Sequence, residues 1–157
     1  MKSQLAKQAQ LEYSAMSEYI AISYWADLHG FRCLYNYARR CVEEEKKHCD
    51  KIVDFITCYL GQEAPALVLE VPQISYITIA DVAYKMLQIE LEVMDSLKEI
   101  ALTEAADVRG LIDSMIFDQI ESVKEVRKIV SQLEQAGEDI SLDWIFPYYS
   151  QESAPGS

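Results

Sequence analysis

The chain is poor in residues that break regular structure: five Gly and four Pro among 157 residues. So few turn formers exclude a collagen-like or linker-like chain and argue against many short strands; they suit a few long helices. Long hydrophobic runs are also missing. Half of the residues are apolar, yet no stretch approaches the roughly 20 consecutive apolar residues of a membrane span. The polar, amphipathic start from Met1 to Gln10 shows no apolar block of a secretory leader. Basic residues are scarce: 14 Lys and Arg stand against 26 Asp and Glu, a formal net charge of −12. Such a chain repels phosphate backbones and anionic lipid, so nucleic acid and membrane surfaces are poor partners and cations good ones. The four cysteines, Cys33, Cys41, Cys49 and Cys58, include no Cys-x-x-Cys pair for a thiolate zinc site and are too few for a disulfide scaffold. Cys41, Cys49 and Cys58 fall in one expected helix, too far apart along a rigid rod to pair with one another. Free thiols in a reducing cytoplasm are the expectation.

What is abundant is helical apolar spacing. Breaks fall at His29-Gly30, at Leu60 to Ser75, around Asp107 to Gly110 and after Ala136-Gly137. Between them the periodicity predicts four rods over Ser3–Leu28, Arg32–Leu60, Thr78–Thr103 and Arg109–Gln135. Their seams run Leu5, Ala9, Glu12, Met16, Tyr19, Ser23, Ala26; then Leu34, Ala38, Cys41, Glu45, His48, Ile52, Phe55, Tyr59; then Ile79, Ala83, Met86, Glu90, Val93, Leu97, Ile100; and finally Ile112, Ile116, Gln119, Val123, Val126, Val130, Leu133. Four amphipathic rods bury every stripe most simply as an all-α four-helix bundle over residues 1–137, with 138–157 as a short tail. Short turns after the first and third rods predict two antiparallel hairpins. The connection from Gly61 to Ile77 holds Pro65, Pro72 and the extended-looking stretch 66–71. A loop of that length is uncommon unless it travels the bundle as a crossover, which sets the second and third rods parallel.

Each seam is interrupted near its middle by polar residues: Glu12, then Glu45 with His48, then Glu90, then Gln119. Laid side by side, these residues share one height. Buried carboxylates with nothing opposite cost several kcal/mol each even after relaxation, roughly, and no Lys or Arg occupies a seam position to neutralise them. Either a metal cluster sits in the layer or the carboxylates hold protons. Glu45-x-x-His48 sets both side chains on one face; Glu45 is then placed to bridge two metals, with Glu12 and His48 on one and Glu90 on the other. A set rich in oxygen and free of sulfur suits iron or manganese better than zinc or copper. Tyr19 lies one heptad past Glu12, within reach of a ligand. Glu44, Asp118 and Glu121 flank the seam as solvated carboxylates or an accessory metal position. His29, at a rod end, reads as a turn residue, and the five Met as core filler. A bundle whose carboxylates are protonated and hydrogen-bonded to Gln119 and Tyr19 would instead be a metal-free interaction module.

In order and spacing the motifs resemble the ferritin family over about residues 3 to 136. Glu12-Tyr-Ser-Ala-Met-Ser-Glu-Tyr19 is similar to the family's first-helix Glu with its Tyr seven residues on, and the segment from Ala38 to His48 resembles the second-helix stretch ending in Glu-x-x-His. Ile89-Glu90-Leu-Glu-Val-Met-Asp-Ser-Leu resembles the third-helix ligand segment. Phe117-Asp-Gln119-Ile-Glu-Ser resembles the fourth-helix Glu-Gln motif of animal heavy chains more than the Glu-x-x-His of bacterioferritin, since Ser122 stands where that His would be. The resemblance implies a ferroxidase: Fe(II) oxidised with O2 or H2O2 at a di-iron site of Glu12, Glu45, His48, Glu90 and Gln119, with Tyr19 nearby. It also implies a twenty-four-subunit homo-oligomeric cage storing ferric mineral. No haem is expected. Glu44, Asp118 and Glu121 match the third iron site of bacterial ferritins, with Ser122 in place of its bridging Glu. Two departures touch the shell: the tail after Gly137 is too short for the usual fifth helix, and Arg109, Ile112 and Asp113 stand where animal ferritins place entry-channel carboxylates. A dimeric, non-storing di-iron oxidoreductase or peroxide scavenger is the alternative that these departures keep open.

Overall fold

A computed structural model of the chain describes residues 3–103, 105–137 and 142–147. Helix α1 runs Gln4–Leu28, α2 Arg32–Asp54 and on through a wider π turn at Phe55–Tyr59, α3 Ile79–Thr103 and α4 Ala106–Ala136; a 3-10 turn follows at Leu142–Ile145. No strand occurs among the described residues, and no described helix is long and apolar enough to cross a membrane. Local chemistry sets several ends. The Ser3 hydroxyl accepts from the Ala6 N–H and caps α1. At the other end Gly30 takes a positive φ, and the Phe31 N–H returns to the Ala26 carbonyl. His29 sits in that turn, its ring stacked on Trp25 and its Nδ1 2.8 Å from the Trp25 carbonyl. Asp81 accepts from the N–H groups of Ile77 and Thr78 while Thr78 accepts from Asp81, a reciprocal cap on α3.

Cross-helix contacts give the directions. The Thr103 hydroxyl donates to Gln4 while Lys85 pairs with Glu18, so α1 and α3 run antiparallel. Since α1 also packs against α2, and α3 against α4, two antiparallel hairpins lie side by side with α2 and α3 parallel. The crossover is a strap along α1. The Gln10 side-chain amide takes both backbone groups of Val68, accepting from its N–H at 2.8 Å and donating to its carbonyl at 2.9 Å. Further along, Tyr76 donates to Glu18 and packs edge-on to Trp25. Within the extended stretch 66–71, Val68 therefore satisfies its backbone on a helix side chain, with no strand partner among the described residues.

The core departs from the narrow seams in identifiable places. The break expected around Asp107 to Gly110 lies earlier, between Thr103 and Ala106: α4 starts at Ala106 and passes through Gly110. A helix-interior glycine costs only about 1 kcal/mol, and burial of Val108 and Ile112 on either side outweighs it. Tyr59 ends 62 % exposed, because the π turn rotates the end of α2 and puts Ile56 inside instead. Met16, Phe55, Ile116 and Val123 are only half-buried, whereas Gln8, Ile22, Met115 and Ile129 are buried. A seam of strict three- and four-residue steps describes contact with one neighbour. Helix α1 faces α2, α3 and the strap together, so its buried arc is broader.

The described part of the tail lies on the bundle. Helix α2 begins after Phe31, which offers no capping side chain. Asp143 supplies the cap from a distance, accepting from the N–H groups of Cys33 at 2.9 Å and Leu34 at 2.8 Å. Ile145 and Phe146 are buried, and the Phe146 ring lies 5.8 Å from that of Tyr37 on α2. All four cysteines are free.

Candidate metal centre

Each helix brings one part of the polar layer inward. Helix α1 supplies Gln8, Glu12 and Tyr19, α2 supplies Glu45 and His48, α3 Glu90 and α4 Gln119; apart from the part-buried His48 all are buried. No Lys or Arg is buried among the described residues. Glu12, Glu45 and His48 converge until one donor atom of each lies within 4.8 Å of the others. His48 Nδ1 stands 3.7 Å from Glu12 Oε2 and 3.7 Å from Glu45 Oε2. That is too long for a hydrogen bond, but it is a separation that two donors of one ion can span, each standing about 2.1 Å from it.

Glu90 belongs to an adjoining set. Tyr19 donates to its Oε1 at 2.5 Å, and Gln119 Nε2 donates to its Oε2 at 2.5 Å and to its backbone carbonyl at 3.0 Å. Both Glu90 oxygens thus already hold a proton donor. The contrast with the first cluster is sharp. Glu12 Oε2, Glu45 Oε2 and His48 Nδ1 are buried without a hydrogen-bond partner, as are Gln8 Oε1 and Gln119 Oε1. A buried group left unsatisfied costs about 1–3 kcal/mol, and these are concentrated at one level of the bundle. A cation between Glu12, Glu45 and His48 would satisfy three of them at once.

Electrostatics without an ion shows the same tension. Burial and the neighbouring Glu12 charge push the Glu45 carboxyl well above the usual carboxylate range. Burial lifts Glu90 to about 7 against the opposing pull of Tyr19 and Gln119. Glu12 is buried too, but His48, Glu45 and Gln8 hold it net below its ordinary value. His48 resists charge by burial and is raised nonetheless by Glu12. Glu45, Glu90 and His48 therefore keep protons in the folded chain at a pH where the unfolded chain has released them. Folding of the metal-free protein weakens as pH rises from the ordinary carboxylate range through about 7; Glu12 acts in the opposite sense, but only at lower pH. Melting in chelator is accordingly expected to be higher at about pH 5.5 than at about pH 8, with Glu90 alone contributing on the order of 2 kcal/mol over that interval. Mn(II) should narrow the gap. A melting temperature that is flat or rising over this interval would contradict the charge assignment.

A cleft of about 450 Å³ opens between α2 and α4 and reaches His48 and Glu90. Glu44, Asp118 and Glu121 line it. They do not converge as Glu12, Glu45 and His48 do: Glu44 pairs with Arg40 at 3.4 Å and Glu121 with Lys124 at 3.3 Å. The sequence pattern missed Gln8, which lies one turn before Glu12 on the same face and donates to its Oε1 at 3.1 Å. Its i, i+4 spacing from Glu12 was the available signal.

Fold and site together define a four-helix bundle with a buried carboxylate layer at mid-height, in which Glu12, Glu45 and His48 could hold a metal ion. The description of the ferritin-like domain family matches residues 2–136, and the chain belongs to that family. Among solved structures it is similar to the open-pore ferritin of the hyperthermophilic archaeon Archaeoglobus fulgidus, with a TM-score of 0.83, 21 % identity and 94 % of each chain covered. An engineered closed form of the Archaeoglobus fulgidus ferritin gives 0.83 at 20 % identity, again over 94 % of each chain. A humanized archaeal ferritin gives 0.84 at 20 % identity over 94 % of this chain and 93 % of that one. At such identities the likeness establishes the fold. No characterised protein sequence matches the chain significantly.

Proposed function

We propose that the protein is an iron-storage ferritin with ferroxidase activity, taking Fe(II) as substrate at the polar layer and holding the ferric product in a shell of like subunits. The observation that carries this reading is the convergence of Glu12, Glu45 and His48, buried and short of partners, in a layer with no buried basic residue. Glu12, His48 and one side of Glu45 hold the first iron; the other side of Glu45, Glu90 and Gln119 hold the second, with Tyr19 donating to Glu90. Two Fe(II) give up two electrons, and O2 with two protons leaves as H2O2; with H2O2 as oxidant the same two electrons yield water. Because both Glu90 oxygens are engaged by donors, the first position is ready before the second. The cleft is lined by Glu44, Asp118, Glu121 and Glu125 against Arg40, Lys47 and Lys51, a small excess of acidic groups at the approach to His48 and Glu90 that favours cations. A family relationship over residues 2–136 supports iron as the cation. Self-association is supported by the strap, which leaves Val71 86 % and Ile77 85 % exposed.

Aerobic addition of Fe(II) to the purified protein is expected to give oxidation far faster than buffer alone and to load tens of ferric ions per subunit. The assembled mass should be about 430 kDa for twenty-four copies of a 17.9 kDa chain. A dimer on a sizing column removes the storage shell and leaves a non-storing oxidoreductase. Oxidation no faster than in buffer removes the ferroxidase.

A further inference from the structure

Gln8 is fully buried on α1 in a position that an apolar residue could fill, with the buried Leu5 about one turn before it and the buried Glu12 one turn after. Its amide is only half used. Nε2 donates to Glu12 Oε1 at 3.1 Å, while the carbonyl Oε1 is buried without a partner. A leucine or methionine would occupy similar space and strand no carbonyl, so packing alone does not account for an amide here. What the amide does is take one oxygen of Glu12 out of play. The oxygen left over, Oε2, is the one that stands 3.7 Å from His48 Nδ1 and has no hydrogen-bond partner of its own. Helix α4 repeats the device: the Gln119 amide donates to Glu90 Oε2 and likewise leaves its carbonyl without a partner.

We propose that Gln8 is a positioning residue of the metal centre, tying back Glu12 Oε1 so that Oε2 alone is presented to the first ion, with its own carbonyl left as a buried acceptor for a hydration water that enters with that ion. This rests on the cation reading of the layer and adds a residue to it. A glutamate on a helix has three rotatable bonds, and fixing one oxygen removes most of that freedom before the ion arrives. Residues that orient metal ligands in this way typically change metal affinity by about 10–100-fold when removed.

The test uses Co(II), which binds without being oxidised by air and reports its ligands in visible absorption, titrated into the full-length protein. Gln8→Met is expected to weaken the first Co(II) by roughly 10–100-fold and to alter its spectrum. Gln8→Ala, which leaves room for a water to donate in the amide's place, should fall between Gln8→Met and the unaltered chain, and it carries the test if Gln8→Met does not fold. In a Glu12→Ala background Gln8→Met should cause no further loss, because Gln8 acts through Glu12. Binding by Gln8→Met and Gln8→Ala equal to that of the unaltered chain overturns the proposal. So does a double variant weaker than Glu12→Ala by the full factor seen with Gln8→Met alone, the signature of a general effect on packing. Failure of the unaltered chain to bind Co(II) at all overturns the cation reading itself, and the proposal with it.

Discussion

Glu45→Ala is expected to reduce Fe(II) oxidation by roughly 100-fold or more, since loss of a residue that merely orients a ligand already costs about 10–100-fold in affinity or activity. Glu45 is the carboxylate common to both proposed iron positions. It belongs to the convergent group with Glu12 and His48, where burial and the neighbouring Glu12 charge both raise its carboxyl. Alanine leaves Glu12 and His48 to hold an ion by themselves and removes the bridge to Glu90. The neighbour in sequence provides the control. Glu44 lies on the cleft wall paired with Arg40, so Glu44→Ala should change the initial rate much less. In the metal-free form Glu45→Ala should melt higher at about pH 8, because a buried carboxyl that ionises only at a cost has been removed. Stopped-flow absorbance of the ferric product and melting in chelator read the two effects separately. Identical oxidation by Glu45→Ala and the unaltered protein would defeat the role given to Glu45, and identical rates no faster than buffer would defeat the enzymatic reading and favour a metal-free helical module.

Phe146→Ala is expected to destabilise the protein by about 3–5 kcal/mol, the range for truncating a buried phenylalanine. The ring is 1 % exposed and packs near Tyr37. In a chain of this size the loss corresponds to a fall in melting temperature of roughly 10 °C. Asp143 caps α2 just beside it, so part of the loss spreads to the start of the helix that carries Glu45 and His48. At a temperature where both proteins remain folded, Fe(II) oxidation should stay close to that of the unaltered chain, since Phe146 is not among the converging ligands. A change below about 1 kcal/mol would show that the tail is not packed on the bundle in solution.

Much of the bundle was legible because its signal is local. Seams in α3 from Ile79 to Ile100 match the buried face at every position, as a helix packed along one stripe requires. Glu12, Glu45, Glu90 and Gln119 stood out because each interrupts an apolar row, and all four prove buried. Legibility failed where more than one neighbour decides. Gln8 sits outside the narrow α1 seam yet inside the molecule, because α1 is covered from several sides. Gly110 looked like a break because glycine's cost is local, while the burial that outweighs it is tertiary. Tyr59 followed the periodicity until the π turn changed it.

Sequence alone determined four helices, their two hairpins, the long crossover and a mid-height layer of carboxylates without basic partners. Those follow from the spacing of side chains along a rod and from the cost of burying charge. Only the tertiary structure decided which oxygens are tied and which are left open. Tyr19 and Gln119 occupy Glu90, Gln8 occupies half of Glu12, and the open atoms of Glu12, Glu45 and His48 face one another. The tail was decided the same way, since Asp143 caps α2 through the N–H of Cys33, 110 residues earlier, and that of Leu34. Hydrogen bonds and ion sites depend on tenths of an ångström between residues far apart in the chain, a precision that periodicity along one helix does not carry.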